Sequence, residues 1–253
     1  MDRELLCEVS DGVATLTLAA PERRNALSAR LIGELVAALD DAESRPDVGA
    51  LVITGQPPAF CAGAVVGDLA AGAGEVPPEQ RRRGLLDIYE AFLRVARSPL
   101  PTVAAVNGPA VGAGMNLALA CDVRVAGRSA RFDTRFLQLG LHPGGGHTYM
   151  AQRAMGPQAA AATVLFGERL DAEGAARAGL VWSVVDDDSL PGAAHHLAAR
   201  AAGYDRELVQ RAKQTLRATA AAPDLATAVD IELDAQAWSM SRPSFQPRVA
   251  PSS

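Results

Sequence analysis

The stretch Asn107–Ala126, NGPAVGAGMNLALACDVRVA, decides how this chain is read. The apolar run Pro101 to Val106 leads into it with strand character. Gly108, Gly112 and Gly114 then punctuate a turn, Met115 to Ala120 reads as a short helix, and Asp122 to Val125 reads as the next strand. Backbone N–H groups at such a helix start have no intrahelical partner and sit at the positive end of the helix dipole, where they can hold a developing oxyanion. Gly112, Ala113 and Gly114 let a ligand come close to that backbone. Small residues at a strand-to-helix turn also serve plain close packing, and both readings stand at this point. A dinucleotide or nucleotide-phosphate loop does not fit, since the full GxGxxG spacing is lacking and no GxxxxGK[ST] occurs.

Upstream, Leu5 to Ser10 and Thr15 to Ala19 flank Asp11-Gly12 and predict a hairpin. The basic turn Pro21 to Asn25 precedes Ser28, an N-cap for a helix with Leu31, Ile32, Leu35, Val36 and Leu39 at helical spacing, ending near Ser44 to Pro46. Ala50 to Thr54 predicts a buried parallel strand, which puts the loop Gly55 to Gly63 at a strand's carboxyl end. Gly67 to Pro78 reads as a mobile loop before a helix over about Glu79 to Ala96, with Arg81, Arg82 and Arg83 on its solvated face.

Downstream, Ala130 to Asp133 predicts a strand leading into Leu139 to Thr148, LGLHPGGGHT, a second candidate site loop. Helices are expected over Tyr149 to Met155, Pro157 to Phe166 and Asp171 to Ala178, and a strand over Val181 to Val185. Three more helices follow, Leu190 to Ala202, Arg206 to Ala221 and Leu225 to Met240, before an irregular tail from Ser241 to Ser253. The division expected is an α/β core over 1–190 and a helical region with a tail over 191–253.

Composition narrows the function. At 253 residues, 49% hydrophobic, with a mean hydropathy of +0.07, the chain reads as a globular protein with a substantial core. A net charge of −5 gives no electrostatic ground for nucleic-acid binding. Cys7, Cys61 and Cys121 are odd in number and lack CxxC spacing, so no disulfide framework or metal site is expected. No run reaches the length of a membrane span and no leader pattern opens the chain, which predicts a cytoplasmic location.

Four blocks in order, RRNALS (Arg23–Ser28), PPAFCAGA (Pro57–Ala64), the Asn107–Ala126 stretch and LGLHPGGGHT (Leu139–Thr148), resemble the crotonase, or enoyl-CoA hydratase/isomerase, family over roughly residues 4 to 240. The resemblance implies an α/β spiral of ββα repeats and a C-terminal helical trimerisation region, assembled as a homotrimer or a hexamer of paired trimers. It also implies an acyl-CoA thioester as ligand, with coenzyme A as part of the substrate and no separate cofactor. In the family two backbone amides hold the thioester oxygen as an enolate forms; the matching positions are Ala64 and Ala113. Ala62, Gly63 and Gly112 flank them, and Arg23 and Arg24 match the basic turn that approaches the CoA phosphates.

Three positions depart from the family. The two glutamates with which hydratases move water and its proton correspond here to Asn116 and Phe136. The aspartate used by isomerase and dehalogenase relatives, eight positions after the second glutamate, corresponds to Gly144. An amide orients water but takes no proton at neutral pH. The replacements expected are His142 first and His147 second, two of four histidines, both in the glycine-rich loop. Asp68 and Asp133 are acids near the site's edge, Asp122 reads as structural, and Cys61 reads as a buried thiol. The function expected is an atypical enoyl-CoA hydratase or isomerase working through an enolate. The alternatives are a non-catalytic acyl-CoA-binding protein and, behind it, a thioesterase.

Overall fold

A computed structural model describes residues 3–65 and 76–245. Most of the loop expected over Gly67 to Pro78, with Asp68, lies outside the described residues, as does the tail beyond 245. The described chain runs β1 (Leu5–Ser10), β2 (Val13–Leu18), α1 (Ala29–Ser44), β3 (Ala50–Gly55), α2 (Pro78–Arg97), β4 (Thr102–Val106), β5 (Pro109–Val111), α3 (Ala113–Ala120), β6 (Val123–Gly127) and β7 (Arg131–Asp133). It continues with α4 (His147–Leu165), β8 (Leu170–Asp171), α5 (Ala172–Arg177), β9 (Ser183–Val185), α6 (Leu190–Ala202), α7 (Arg206–Thr219) and α8 (Leu225–Met240).

Six strands form one sheet in the order β1-β2-β3-β4-β6-β9, parallel throughout except for the β1–β2 hairpin. Because side chains alternate across a strand, both faces of this sheet must be covered, and the apolar runs supply both. Leu16, Leu51, Ile53, Ala104 and Ala126 enter the larger core with α1, α2 and α3, while Val13, Val52, Val103 and Val125 meet Leu190, Ala194 and Ala198 of α6 on the other face. The division expected at 190/191 falls at the very start of α6, after Leu190, yet α6 forms a layer of the core. The helices that stand apart from the sheet begin at α7.

A second, three-stranded sheet, β5-β7-β8, is set off from the first. β4 leads through Asn107 and Gly108 into β5 of this small sheet, and α3 follows at once. The helix from His147 is broken at Gly156, whose φ of 74° and ψ of 169° are not helical, so the two helices expected either side of that glycine are both present. At the far end α8 buries no residue, and Leu225, Leu233 and Met240 are exposed along it. Asp122, at the start of β6, accepts hydrogen bonds from the Thr102 backbone (2.8 Å) and hydroxyl (2.9 Å) and pairs with Lys213 of α7 at 2.6 Å. That structural role leaves it out of the chemistry.

Candidate functional site

The site lies where the large sheet hands over to the small one. Gly112, at φ 53° and ψ −115°, adopts a backbone that L side chains avoid and turns the chain from β5 into α3. Its N–H is used, donating to the Asp133 carbonyl of β7 at 2.9 Å. Ala113 is the first residue of α3, so its N–H has no carbonyl to meet within the helix. All eight residues of α3 are buried, Ala113 among them.

The segment Cys61–Ala64 is held against it from two sides. Cys61 N–H donates to Pro109 O (3.1 Å) and Val111 N–H to Cys61 O (3.0 Å), while Leu27 N–H donates to Gly63 O (2.7 Å) and Leu27 pairs with Ala64. A Cβ on Gly63 would come 3.5 Å from the Ala113 nitrogen, so the Ala62–Ala64 backbone and the start of α3 face each other in contact. The two amides expected to form an anion hole thus belong to adjoining segments.

Sequence reasoning missed the residue that holds this segment. Asn25 is fully buried at φ 57°, accepts from Ala20 N–H (3.0 Å), and donates from Nδ2 to Gln56 O and Ala59 O (2.8 Å each) and to Phe60 O (3.3 Å). It ties the basic turn to the loop that delivers Cys61–Ala64. The only signal for it was its place inside RRNALS. Within that turn the two arginines differ. Arg23 is engaged internally, with Glu4, with Glu22 at 2.9 Å and with the Ser28 hydroxyl at 3.3 Å. Arg24 is exposed and is held through its backbone, its N–H donating to Pro21 O at 2.9 Å and its carbonyl accepting from Ala62 N–H at 2.9 Å.

The other wall carries Asn116, Phe136 and Gly144, the three positions at which the resemblance led us to expect a departure from the family. Asn116 is 1% exposed and lies one turn after Ala113 on α3. Its Nδ2 donates to Gly144 O at 3.0 Å, which turns its Oδ1 toward Nδ1 of His147 at 2.7 Å. An amide oxygen only accepts, so Nδ1 of His147 must carry the proton and Nε2 must be the unprotonated nitrogen. Nε2 is buried and has no hydrogen-bond partner among the described residues. Phe136 packs edge-on against the imidazole, with ring centroids 5.0 Å apart. Burial lowers the His147 pKa to about 4. That is the proton affinity of an ordinary glutamate, about 4.3.

His142 takes a different place from the one expected for the first-ranked histidine. It is exposed on the loop before α4, with Nδ1 2.7 Å from the carbonyl of Pro143. The Gly144 carbonyl turns inward to Asn116, while a Cβ on that residue would fall 2.1 Å from the Tyr89 hydroxyl of α2. The hydroxyl therefore fills the space a side chain at 144 would need. Burial raises the pKa of Tyr89, against a hydrogen bond from the Gly145 backbone. Cys61 is fully buried with its thiol pushed up to about 12, which makes it inert. Cys7 is exposed on β1. Asp133 is paired with Arg169 at 3.1 Å and Arg135 at 3.5 Å. No group of side chains suited to a metal occurs among the described residues, and none of their helices is long and apolar enough to cross a membrane.

A model of the family described as enoyl-CoA hydratase/isomerase matches residues 8–248. The chain belongs to that family. It is 50% identical over 251 residues to a probable enoyl-CoA hydratase, EchA14, of Mycobacterium tuberculosis, covering 97% of this chain and 96% of that one. It is 36% identical over 237 residues to the 1,2-epoxyphenylacetyl-CoA isomerase of Escherichia coli, covering 92% and 88%. Among solved structures, an enoyl-CoA hydratase from a Polaromonas species superposes with a TM-score of 0.87 at 28% identity, covering 94% of this chain and 92% of that one. The α/β crotonase fold with C-terminal helices, expected from the four sequence blocks, is therefore present.

Proposed function

We propose that this enoyl-CoA hydratase/isomerase-family protein binds acyl-CoA thioesters with the carbonyl oxygen between the Ala64 and Ala113 amides, and acts through an enolate with His147 as the proton-transfer group. The observation that carries this is the Asn116–His147 pair: an imidazole held in one tautomer, with an unpartnered, unprotonated Nε2 beside the helix start that bears the Ala113 amide. In hydration, Nε2 takes a proton from water as the water oxygen bonds to the β-carbon, and the electron pair of the double bond moves to the thioester oxygen as the enolate. In isomerisation, Nε2 takes the proton from carbon. Tyr89, kept protonated by burial, is the second group able to return a proton; environments that push two titratable groups apart in this way assign a base and an acid.

Family membership and the names of the relatives above support a thioester of coenzyme A as the ligand class. Arg24, exposed beside the Ala62–Ala64 segment, is the arginine of the basic turn free to meet its phosphates. Self-association through the exposed apolar residues of α8 belongs to the same reading, and sedimentation of a Leu225→Glu/Leu233→Glu variant against wild type tests it.

A second reading, a thioester-binding protein without turnover, is favoured by the lack of a carboxylate at positions 116, 136 and 144. Deuterium incorporation from heavy water into saturated and unsaturated acyl-CoA thioesters, followed by mass spectrometry with calorimetry on the same samples, separates the two. Exchange that disappears in His147→Ala and persists in His142→Ala supports the proton-transfer reading. Tight binding without exchange supports the second, and no binding removes both.

A further inference from the structure

Arg24 and Asn25 are adjacent non-glycine residues in the left-handed region, at φ 54° and φ 57°. Among the described residues only Asp11 and Arg135 share that feature, each singly. A left-handed backbone at two successive L residues is strained, and a fold keeps it only where the surroundings hold it. What surrounds this turn is the segment that carries Ala64. The buried amide of Asn25 accepts from Ala20 N–H and donates to the carbonyls of Gln56, Ala59 and Phe60. The loop is wrapped so closely about it that a Cβ on Gly55 would fall 2.7 Å from Asn25 Nδ2. On either side of Asn25 the turn grips the segment again, through Arg24 O to Ala62 N–H and Leu27 N–H to Gly63 O.

These ties decide which amide is left over. Cys61 N–H is taken by Pro109 O, Ala62 N–H by Arg24 O, and Gly63 N–H by the Cys61 sulfur. Ala64 N–H is the first donor of the segment that meets no acceptor among the described residues. The two amides assigned to the thioester oxygen are therefore fixed by different means. Ala113 N–H is aimed by α3 itself, whereas Ala64 stands outside any helix and is joined to the turn by its bridge with Leu27. A donor that stabilises a developing oxyanion has to be aimed before the reaction begins. A misplacement of about 1 Å at such a site can cost about 10²-fold in rate.

We propose that Asn25 is the positioning residue of the Ala64 donor. Through the left-handed Arg24–Asn25 turn it aims that amide at the thioester oxygen, and it acts on the polarised carbonyl rather than on ligand affinity. The assignment rests on the function proposed above, with the carbonyl between Ala64 and Ala113.

Infrared spectroscopy of bound butanoyl-CoA with an isotope-labelled carbonyl reads the aim of the two donors without turnover. On wild type the carbonyl stretch is expected at lower frequency than for the free thioester. Asn25→Gly accepts the left-handed backbone and removes only the amide. It is expected to lose a large part of that shift, and any proton exchange into the same thioester is expected to slow by about 10–10³-fold, the upper end being the loss of one donor. Calorimetric affinity for butanoyl-CoA is expected to change far less. Asn25→Asp keeps the acceptor for Ala20 N–H and, protonated among three carbonyls, one donor. It is expected to fall between the two, and it carries the test if Asn25→Gly does not fold. A full shift in the variants overturns the role of Asn25 and leaves the two-amide reading standing. Loss of affinity in step with loss of shift reduces Asn25 to a structural tie and overturns it likewise. No shift in wild type removes the two-amide reading and this assignment with it.

Discussion

A Cβ on Gly114 would lie 2.1 Å from the carbonyl oxygen of Cys61, and one on Gly144 would lie 2.1 Å from the hydroxyl of Tyr89. The distances are equal, but the material is not. On the amide wall, backbone meets backbone, fixed by Asn25 below and by the hydrogen bonds of Cys61 and Val111. On the imidazole wall, side-chain ends meet: Tyr89 and Phe92 against the glycines at 144 and 145, Phe136 against His147, and Asn116 against both the loop carbonyl and the imidazole. The first wall can vary its side chains and keep its donors. The second wall is made of its side chains, and it holds the three positions at which a departure from the family was expected.

The largest effect belongs to the second wall. His147→Ala removes a buried, unpartnered base and is expected to lower proton exchange into bound thioester by about 10²–10⁴, the usual worth of a positioned acid–base group, with ligand affinity little changed. An equal fall in affinity and exchange would reassign His147 to holding the wall in shape. Next comes the first wall. Gly114→Ala drives a methyl group into the Cys61 carbonyl, which cannot rotate away, and is expected to destabilise the fold by about 3 kcal/mol, at the upper end for overpacking. Chemical denaturation reads this directly.

A pH series sharpens the comparison further. Folded, His147 titrates at about 4; unfolded, it titrates near the ordinary value of 6.5. The unfolded chain therefore binds more protons between those two values, so the contribution of this residue to stability is fully present above pH 6.5 and is lost as pH falls toward 4. The difference in unfolding free energy between wild type and His147→Leu is expected to change by up to about 3 kcal/mol across that window and to be flat above it. Exchange that depends on neutral Nε2 should persist through pH 6.5 and decline only near 4. A decline centred on 6.5 would take the proton transfer away from His147.

The first wall was legible in the sequence because its requirements are local. GAG at a strand-to-helix turn and CAGA at a strand end demand small residues wherever they occur, and the near-continuous apolar runs of β3 and β4 announce a sheet covered on both faces. The layering of α6 was less legible, since alanine at 194 and 198 carries a weak helical pattern and the partner face is supplied by strands far away in sequence. The second wall was legible only as a set of missing carboxylates. Which histidine turns inward depends on whether the loop ends before residue 147, and nothing between Gly144 and Thr148 fixes that. Gly146, at φ 81°, becomes the N-cap of α4, and His147, as the first helical residue, is swung beneath Phe136. Asn25 escaped notice because buried amides that tie loops together have no periodicity.

Asn116→Ala tests the join between the walls. It leaves the proton on Nδ1 without its acceptor and frees the tautomer, at a cost of about 1–3 kcal/mol for an unsatisfied buried donor. If that cost falls on the transition state, exchange slows roughly 5- to 150-fold. Asn116→Gln, which can keep the acceptor at a different reach, is expected to recover part of the loss; no recovery would mean that packing at 116, rather than tautomer choice, matters.

The smallest effect is expected at Gly144, and it is the sharpest test of the contrast. A methyl group there meets only the end of the Tyr89 side chain, which can rotate into the half-exposed space around it, and no left-handed backbone has to be preserved at this residue. Gly144→Ala should therefore cost about 1 kcal/mol, well below Gly114→Ala despite the same approach of 2.1 Å. The displaced hydroxyl should nevertheless register in exchange, because Tyr89 would leave the place from which it can return a proton. If Gly144→Ala leaves both stability and exchange untouched, Tyr89 is a filler and His147 handles both protons; if it destabilises as much as Gly114→Ala, the second wall is as rigid as the first and the distinction between them fails.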